Sequence, residues 1–355
     1  MKIKIFLGAY INSANAQNIN CRSICESLNK DKFETYSLRL YSGNTSLVPS
    51  ETKLFTCFYP LRISKYIGYL WGIYKCDIAY LPKFECNSWN LFWLKLLKKK
   101  YFSTIEGVLA GTNLEKAEAE FGSKRKMLKV FASYKNLYSI TGFLRDYNHH
   151  NLGIKTNTKV LYLGTNFNSF YNPIKEIKEL KNVVMIGHDL LRKGFKEYLE
   201  LARLNKEINF HIVGSGNGYI DIKNELDRAG LINCKYHGLI ANEDLRELLN
   251  DIDLHIFLSR VEGFPKVILE TSSAGVPNII FPDYGASEWM KSGKNGFILN
   301  NIQEIQDLLV RFRDDPKQLQ ELSLEARQLG ATFSWNSVIK DWENEILKIY
   351  KQEND

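Results

Sequence analysis

Two glutamates eight positions apart, Glu262 and Glu270, frame the stretch of this 355-residue chain that is richest in chemistry. The run reads Ser259-Arg-Val-Glu262-Gly263-Phe264-Pro265-Lys266-Val267-Ile-Leu-Glu270 and ends at Gly275-Val-Pro277. Upstream, Leu254–Leu258 is apolar and bounded by Asp253 and Ser259, which predicts a buried parallel strand. Gly263 and Pro265 then break the chain into a tight loop. From Lys266 onward the spacing is helical until Gly275 and Pro277 stop it. Strand, loop and helix in this order aim backbone N–H groups at the strand's carboxyl end, a natural seat for phosphate. Carboxylates beside such a seat suit sugar hydroxyls, which donate hydrogen bonds to them. Glu262 before the helix and Glu270 within it can therefore hold two ends of one ligand.

A second cluster, Gly187-His188-Asp-Leu-Leu-Arg192-Lys193-Gly194, follows an apolar run and opens a helix. Cations there can meet a diphosphate. As diphosphate leaves, charge grows on its bridging oxygen, and a cation stabilises that charge more than the ground state.

With Glu-Gly-Phe-Pro, the seven-residue gap and the Ala-Gly-Val-Pro stop, the chain resembles the retaining nucleotide-sugar glycosyltransferases of family 4. The resemblance implies an α/β GT-B architecture, two Rossmann-like doubly wound domains facing across a cleft. By that likeness Glu262 sits by the donor sugar's hydroxyls, N–H groups around Gly263, Phe264, Lys266 and Val267 hold the distal phosphate, and Pro265 belongs to the same donor-binding loop. Glu270 takes the ribose hydroxyls, and Lys193, with Arg192, meets the diphosphate. Gly214-Ser-Gly216 resembles the family's Gly-x-Gly turn, and His237-Gly238 the segment bordering the base. Three positions depart from the pattern. His188 stands where the family has Arg, Asn15-Ala16 where a Gly-Gly loop is common, and Glu106 where many members have a cleft His. Glu106, at the end of the run Tyr101–Ile105, is then a candidate for a hydroxyl of donor or acceptor. Asp251-Ile-Asp253 spells a metal-binding Asp-x-Asp. It enters its strand at the amino end, away from the ligand side, so no metal and no cofactor is expected. Arg192, Lys193 and helix N-termini take the ion's place.

The elements that must position these groups are legible as alternation. Strands are expected at Lys2–Leu7, Thr35–Tyr41, Asp77–Leu81, Tyr101–Ile105, Leu137–Ile140 and Lys159–Leu163, then at Asn182–Ile186, Phe210–Val213, Lys235–Tyr236 and Ile279–Phe281. Helices are expected at Trp89–Lys98, Phe195–Leu204, Tyr219–Ala229, Glu243–Asn250 and Ser334–Tyr350. Strand–helix alternation of this kind implies parallel sheets. The reading divides the chain into an acceptor-side domain, 1–172, and a nucleotide-sugar domain, 173–333. The helix at 334–350 carries an apolar stripe that must bury somewhere, and the family resemblance sends it back to the first domain.

Composition adds limits. Residues 1–170 hold 24 Lys and Arg against 11 Asp and Glu, and the remainder 23 against 29. A basic half faces something anionic. Lys98–Lys100 and Lys124–Lys126, with Trp89, Phe92 and Trp93 near the first, point to an anionic membrane surface. No motif points to nucleic acid. The six cysteines show no metal spacing and read as reduced thiols. Without a signal-like start or a run of ~18–20 apolar residues, the expected location is cytoplasmic, peripheral at the inner membrane face. The expected activity is retaining, metal-independent transfer of a sugar from a nucleoside diphosphate to a glycan or lipid-linked glycan in surface-polysaccharide assembly. The alternatives are a non-catalytic sugar-nucleotide or glycan-binding relative and a GT-B epimerase or phosphorylase.

Overall fold

The computed structural model describes residues 2–216, 218, 221–282 and 284–352. It divides into two compact units, Met1–Gly164 with Trp335–Asp355, and Thr165–Ser334. The boundary expected after residue 172 lies earlier, after Gly164. Thr165 instead opens the second unit, because the turn Phe167–Phe170 buries Phe170 with Val184, Leu245 and Ala274 of that unit.

Unit 1 holds six parallel strands: β1 (Ile3–Tyr10), β2 (Phe33–Leu40), β3 (Lys53–Cys57), β4 (Ile78–Tyr80), β5 (Lys100–Ile105) and β6 (Leu137–Ser139). Their order is β3-β2-β1-β4-β5-β6. Unit 2 repeats the pattern with β7 (Asn182–His188), β8 (Asn209–Ser215), β9 (Cys234–Gly238), β10 (Leu254–Phe257), β11 (Asn278–Ile280) and β12 (Gly296–Ile298). Its order, β12-β11-β10-β7-β8-β9, is the same arrangement. In each sheet the connection reverses direction at one place, between β1 and β4 and between β7 and β10, where ligands of open parallel sheets collect at the carboxyl ends. Helices cover both faces. That burial explains why central strands such as β10 read as unbroken apolar runs; all four of its residues are buried.

The final helix, Trp335–Lys351, belongs to unit 1. Trp342 is fully buried against Tyr80 and Phe102, with ring centroids 5.3 and 6.3 Å away, and its Nε1 donates to Tyr162 O at 2.8 Å. That bond bears on one error of the sequence reading. Lys159–Leu163 is not a strand but a single bridge from Val160 to Ser139, after which the backbone serves the helix. The reading missed β3 and β12 because both are short and weakly apolar. It also missed the helices Leu61–Lys75, Gly111–Phe121 and Lys124–Ala132. The helix expected from Tyr219 runs over Ile222–Ala229; Tyr219 itself lies outside the described residues.

Gly214-Ser215 is likewise no turn, since both residues end β8. Gly214 has φ 132°, and a Cβ there would stand 1.8 Å from the carbonyl oxygen of Gly187 on β7. Contact between neighbouring strands is sufficient to require this glycine.

Candidate active site

The carboxyl ends of β7 and β10 lie side by side in unit 2, and the two predicted clusters leave from them. After β7 the chain turns through Asp189, whose φ of 54° is left-handed, and enters the helix Phe195–Leu204 at Gly194. Gly194 has φ 88°, and a Cβ would meet Leu258 Cβ at 2.4 Å. Only glycine lets this helix start so close to the end of β10. The close approach carries Arg192 and Lys193 to the loop after β10.

There three donors converge on one oxygen. Glu262 Oε1 accepts from Lys193 Nζ at 2.8 Å, from Ser259 Oγ at 3.0 Å and from Arg192 at 3.1 Å. Its Oε2 accepts nothing among the described residues. Arg192 also donates to Val261 O at 2.8 Å. Lys193 is 8% exposed, and its Nζ lies 4.5 Å from the centroid of the Phe257 ring. Burial pulls the Lys193 pKa below the ordinary lysine value, and Glu262 opposes that shift. Tyr284, fully buried beside Glu262, has a hydroxyl without a hydrogen-bond partner among the described residues; burial, then the Glu262 charge, push its pKa up.

The helix Lys266–Ser273 follows Pro265 with no side-chain cap at its start. Phe264 is anchored by Trp289 and Phe333, at centroid distances of 4.6 and 6.5 Å, which fixes the loop Glu262–Pro265. Glu270 is half-buried on this helix. Its carboxylate accepts no hydrogen bond and forms no ion pair among the described residues. Burial raises its pKa, partly offset by Lys266.

Beneath the helix runs a fully buried polar seam. Asn278 Oδ1 is 2.6 Å from His255 Nδ1 and accepts from Thr271 Oγ1 at 2.8 Å, while its Nδ2 donates to Ser272 Oγ at 3.0 Å. His255 Nε2 has no hydrogen-bond partner among the described residues. Burial brings the His255 pKa down to about 4.

The structure thus brings together Lys193, Arg192, Glu262 and the Gly263–Val267 loop, with Glu270 on the same helix. His188 stays exposed, 3.2 Å from Ser215 Oγ. His237 and Gly238 end β9, with β7 and β8 between them and β10. His237 Nε2 lies 3.0 Å from His211 Nδ1, so that imidazole already has a partner. Burial lowers both pKa values, that of His211 to about 4. Gly216 follows β8 directly. Glu106 follows β5 directly in unit 1. Its side chain is 3% exposed, accepts from Thr104 at 3.1 Å and Tyr80 at 3.2 Å, and has Lys83 Nζ at 3.9 Å. Asp253 accepts from the N–H groups of Lys181 and Asn182 and pairs with Lys175 at 2.6 Å, a backbone-fixing task. Sequence reasoning missed Ser259, Tyr284 and the His255–Asn278 seam. Ser259, three residues before Glu262, was the one within reach of a spacing argument.

Residues 169–329 match the family model for glycosyl transferases group 1. The N,N'-diacetylbacillosaminyl-diphospho-undecaprenol alpha-1,3-N-acetylgalactosaminyltransferase of Campylobacter jejuni is 28% identical, over 56% of this chain and 56% of that protein. An Escherichia coli UDP-Gal:alpha-D-GlcNAc-diphosphoundecaprenol alpha-1,3-galactosyltransferase is 30% identical, over 37% of this chain and 36% of its own length. The chain thus spans about half, or less, of the curated relatives it matches. The crystal structure of Anabaena HepE in complex with UDP superposes with a TM-score of 0.77 at 15% identity, covering 98% of this chain and 100% of that one. The chain has the GT-B fold, and its second unit carries, over residues 169–329, the region of the glycosyl transferases group 1.

Proposed function

We propose that the protein is a retaining glycosyltransferase that moves a sugar from a nucleoside-diphosphate donor to a glycan or lipid-linked glycan in bacterial surface-polysaccharide assembly. The observation that carries this reading is the convergence of Lys193 and Arg192 on Glu262 beside an uncapped helix start. A diphosphate entering there competes with Glu262 for both cations, and the released carboxylate is free to accept from donor hydroxyls. The helix start and the cations then stabilise the departing diphosphate. The bond from the anomeric carbon to the diphosphate oxygen breaks, and the acceptor hydroxyl oxygen bonds the same face. The hydroxyl proton passes to the departing phosphate. No metal ion enters this scheme, because two cationic side chains and the helix dipole supply the charge. Glu270 holds the ribose, and His188, Gly214, Gly216, His237 and Gly238 border the nucleotide. Glu106 has a positioning role in unit 1, holding Tyr80, Thr104 and Lys83. The lipid-linked acceptors named for the two relatives support the acceptor class and a peripheral place at the membrane.

Incubating the purified protein with a panel of nucleotide-sugars in the presence of a chelator tests this. We expect slow donor hydrolysis for one donor, insensitive to chelation, and an axial product anomer from an axial donor by NMR. Hydrolysis of no donor would favour a binding protein, and loss of activity with chelator would overturn the metal-free scheme.

A further inference from the structure

Unit 1 carries a surface that this reaction does not account for. The helix Leu61–Lys75 turns Ile63, Tyr66, Ile67 and Tyr74 outward, each 41–63% exposed. The neighbouring helix Ser88–Leu96 does the same with Trp89, Phe92 and Leu96, at 43–58%. Tyr59, just before the first helix, is 92% exposed. The two stripes join where Tyr66 meets Trp89, their ring centroids 5.3 Å apart, and Trp93 extends the contact to Phe92 at 5.2 Å. A contiguous apolar face of this kind marks an interaction surface rather than scattered exposure.

Charge says what the face meets. The two helices contain no Asp or Glu, but carry Arg62, Lys65, Lys75 and Lys95. Glu85, just outside them, is paired to Lys65 at 3.2 Å. At the carboxyl end of Ser88–Leu96, Lys95, Lys98, Lys99, Lys100 and Lys135 line a hollow of about 540 Å³. Lys99 donates to Cys76 O at 2.6 Å, while Lys95 and Lys98 are exposed to solvent. A second copy of the chain would set these lysines against their own kind. Tryptophan and tyrosine beside lysine are the composition of a membrane interface.

We propose that this face docks on an anionic lipid bilayer, its aromatic and aliphatic side chains at the headgroup boundary and its lysine hollow against lipid phosphates. Contact is peripheral, since no helix among the described residues is long and apolar enough to cross a membrane. The inference rests on the lipid-linked acceptor reading, to which it adds the surface that meets the membrane.

Co-sedimentation of the full chain with phosphatidylcholine vesicles, with and without phosphatidylglycerol, provides the test, run without donor. Binding is expected to the mixed vesicles alone and to weaken with salt. The pair Lys95→Glu and Lys98→Glu should weaken it tenfold or more, at ~1 kcal/mol per cation near an anionic surface. The pair Ile67→Ser and Phe92→Ser should do so without altering circular dichroism or donor hydrolysis. Equal binding to both vesicle types, undiminished binding by the variants, or a vesicle-free dimer dissolved by Phe92→Ser would overturn the proposal. Vesicle binding without donor hydrolysis would instead remove the transferase reading and leave the docking face standing.

Discussion

In the proposed reaction, the Glu262 oxygen that accepts from Lys193, Arg192 and Ser259 yields its two cations to the donor diphosphate. Lys193 is the informative member of the set, because its buried ammonium has little water to fall back on. Lys193→Ala should lower kcat at least tenfold, ~1.4 kcal/mol, and change the Michaelis constant for donor much less. Steady-state kinetics decide this, and a change confined to the Michaelis constant would assign Lys193 to uniform binding. Its pKa lies below the ordinary lysine value, and only the cation serves. The alkaline limb of kcat/KM should therefore fall below the ordinary lysine range. Glu270 presents the opposite case. Burial raises its pKa, so the folded state holds that proton more tightly than the unfolded chain does. The group then costs stability once pH rises above the unfolded pKa, and the cost is full above the folded one. Glu270→Gln should raise the melting temperature slightly and weaken nucleoside diphosphate binding by ~1.5–3 kcal/mol. Calorimetry on both proteins checks the two signs together; unchanged affinity would remove Glu270 from the site. The pair of glutamates was legible in sequence because spacing on a strand–loop–helix unit is local. Ser259 and Tyr284 were not, because their proximity to Glu262 follows from how the loop folds.

The helix Lys266–Ser273 is short, starts without a cap and still holds Glu270 in place. What fixes it is the seam of His255, Asn278, Thr271 and Ser272 below, where one amide answers three side chains. Buried networks of this kind are costly when half satisfied. Burial depresses the His255 pKa to about 4. A histidine whose folded pKa lies below its unfolded value contributes stability that is lost as pH falls from the unfolded pKa towards the folded one. His211 behaves in the same way, with burial and the neighbouring His237 lowering it to about 4. Stability measured by denaturant should therefore decline from about pH 6.5 downward, before most carboxylates titrate. Asn278→Ala should cost ~2–4 kcal/mol by orphaning His255 Nδ1 and Ser272 Oγ. A flat profile between pH 7 and 5.5, together with a mild Asn278 variant, would mean that the seam does not hold the helix. Sequence reading found β10 and this helix because burial on both faces leaves an apolar run, followed by glycine and proline. It could not find the seam, whose members look like ordinary polar residues until the register of β10 with β11 sets His255 opposite Asn278. It missed β3 for a related reason, since Lys53–Cys57 pairs only with β2 at the sheet edge and needs no long apolar run.

The chain leaves unit 1 at Gly164 and returns to it at Trp335, so unit 2 is an insertion whose ends meet. Thr165 N donates to Phe333 O at 2.9 Å, closing that unit at its own base. Unit 2 contains the Lys193–Glu262 cluster, Glu270 and a core of its own from Ile177 to Leu322. Unit 1 depends on residues far away in sequence. Tyr138 donates to Glu345 at 2.8 Å, and Trp342 fills the space beside Tyr80 and Phe102. Two outcomes follow from this asymmetry. A fragment of residues 165–334 should fold cooperatively and keep nucleoside diphosphate affinity, whereas residues 1–164 alone should not fold. In the full chain, Trp342→Ala should destabilise unit 1 by ~3–5 kcal/mol, the cost of truncating a buried tryptophan. Nucleoside diphosphate affinity should stay nearly unchanged, because the nucleotide is assigned to unit 2. Denaturation followed by circular dichroism, with ligand titration alongside, reads both. An unfolded 165–334 fragment, or a Trp342 variant that loses nucleotide affinity as much as stability, would show that the two units do not stand as separate cores.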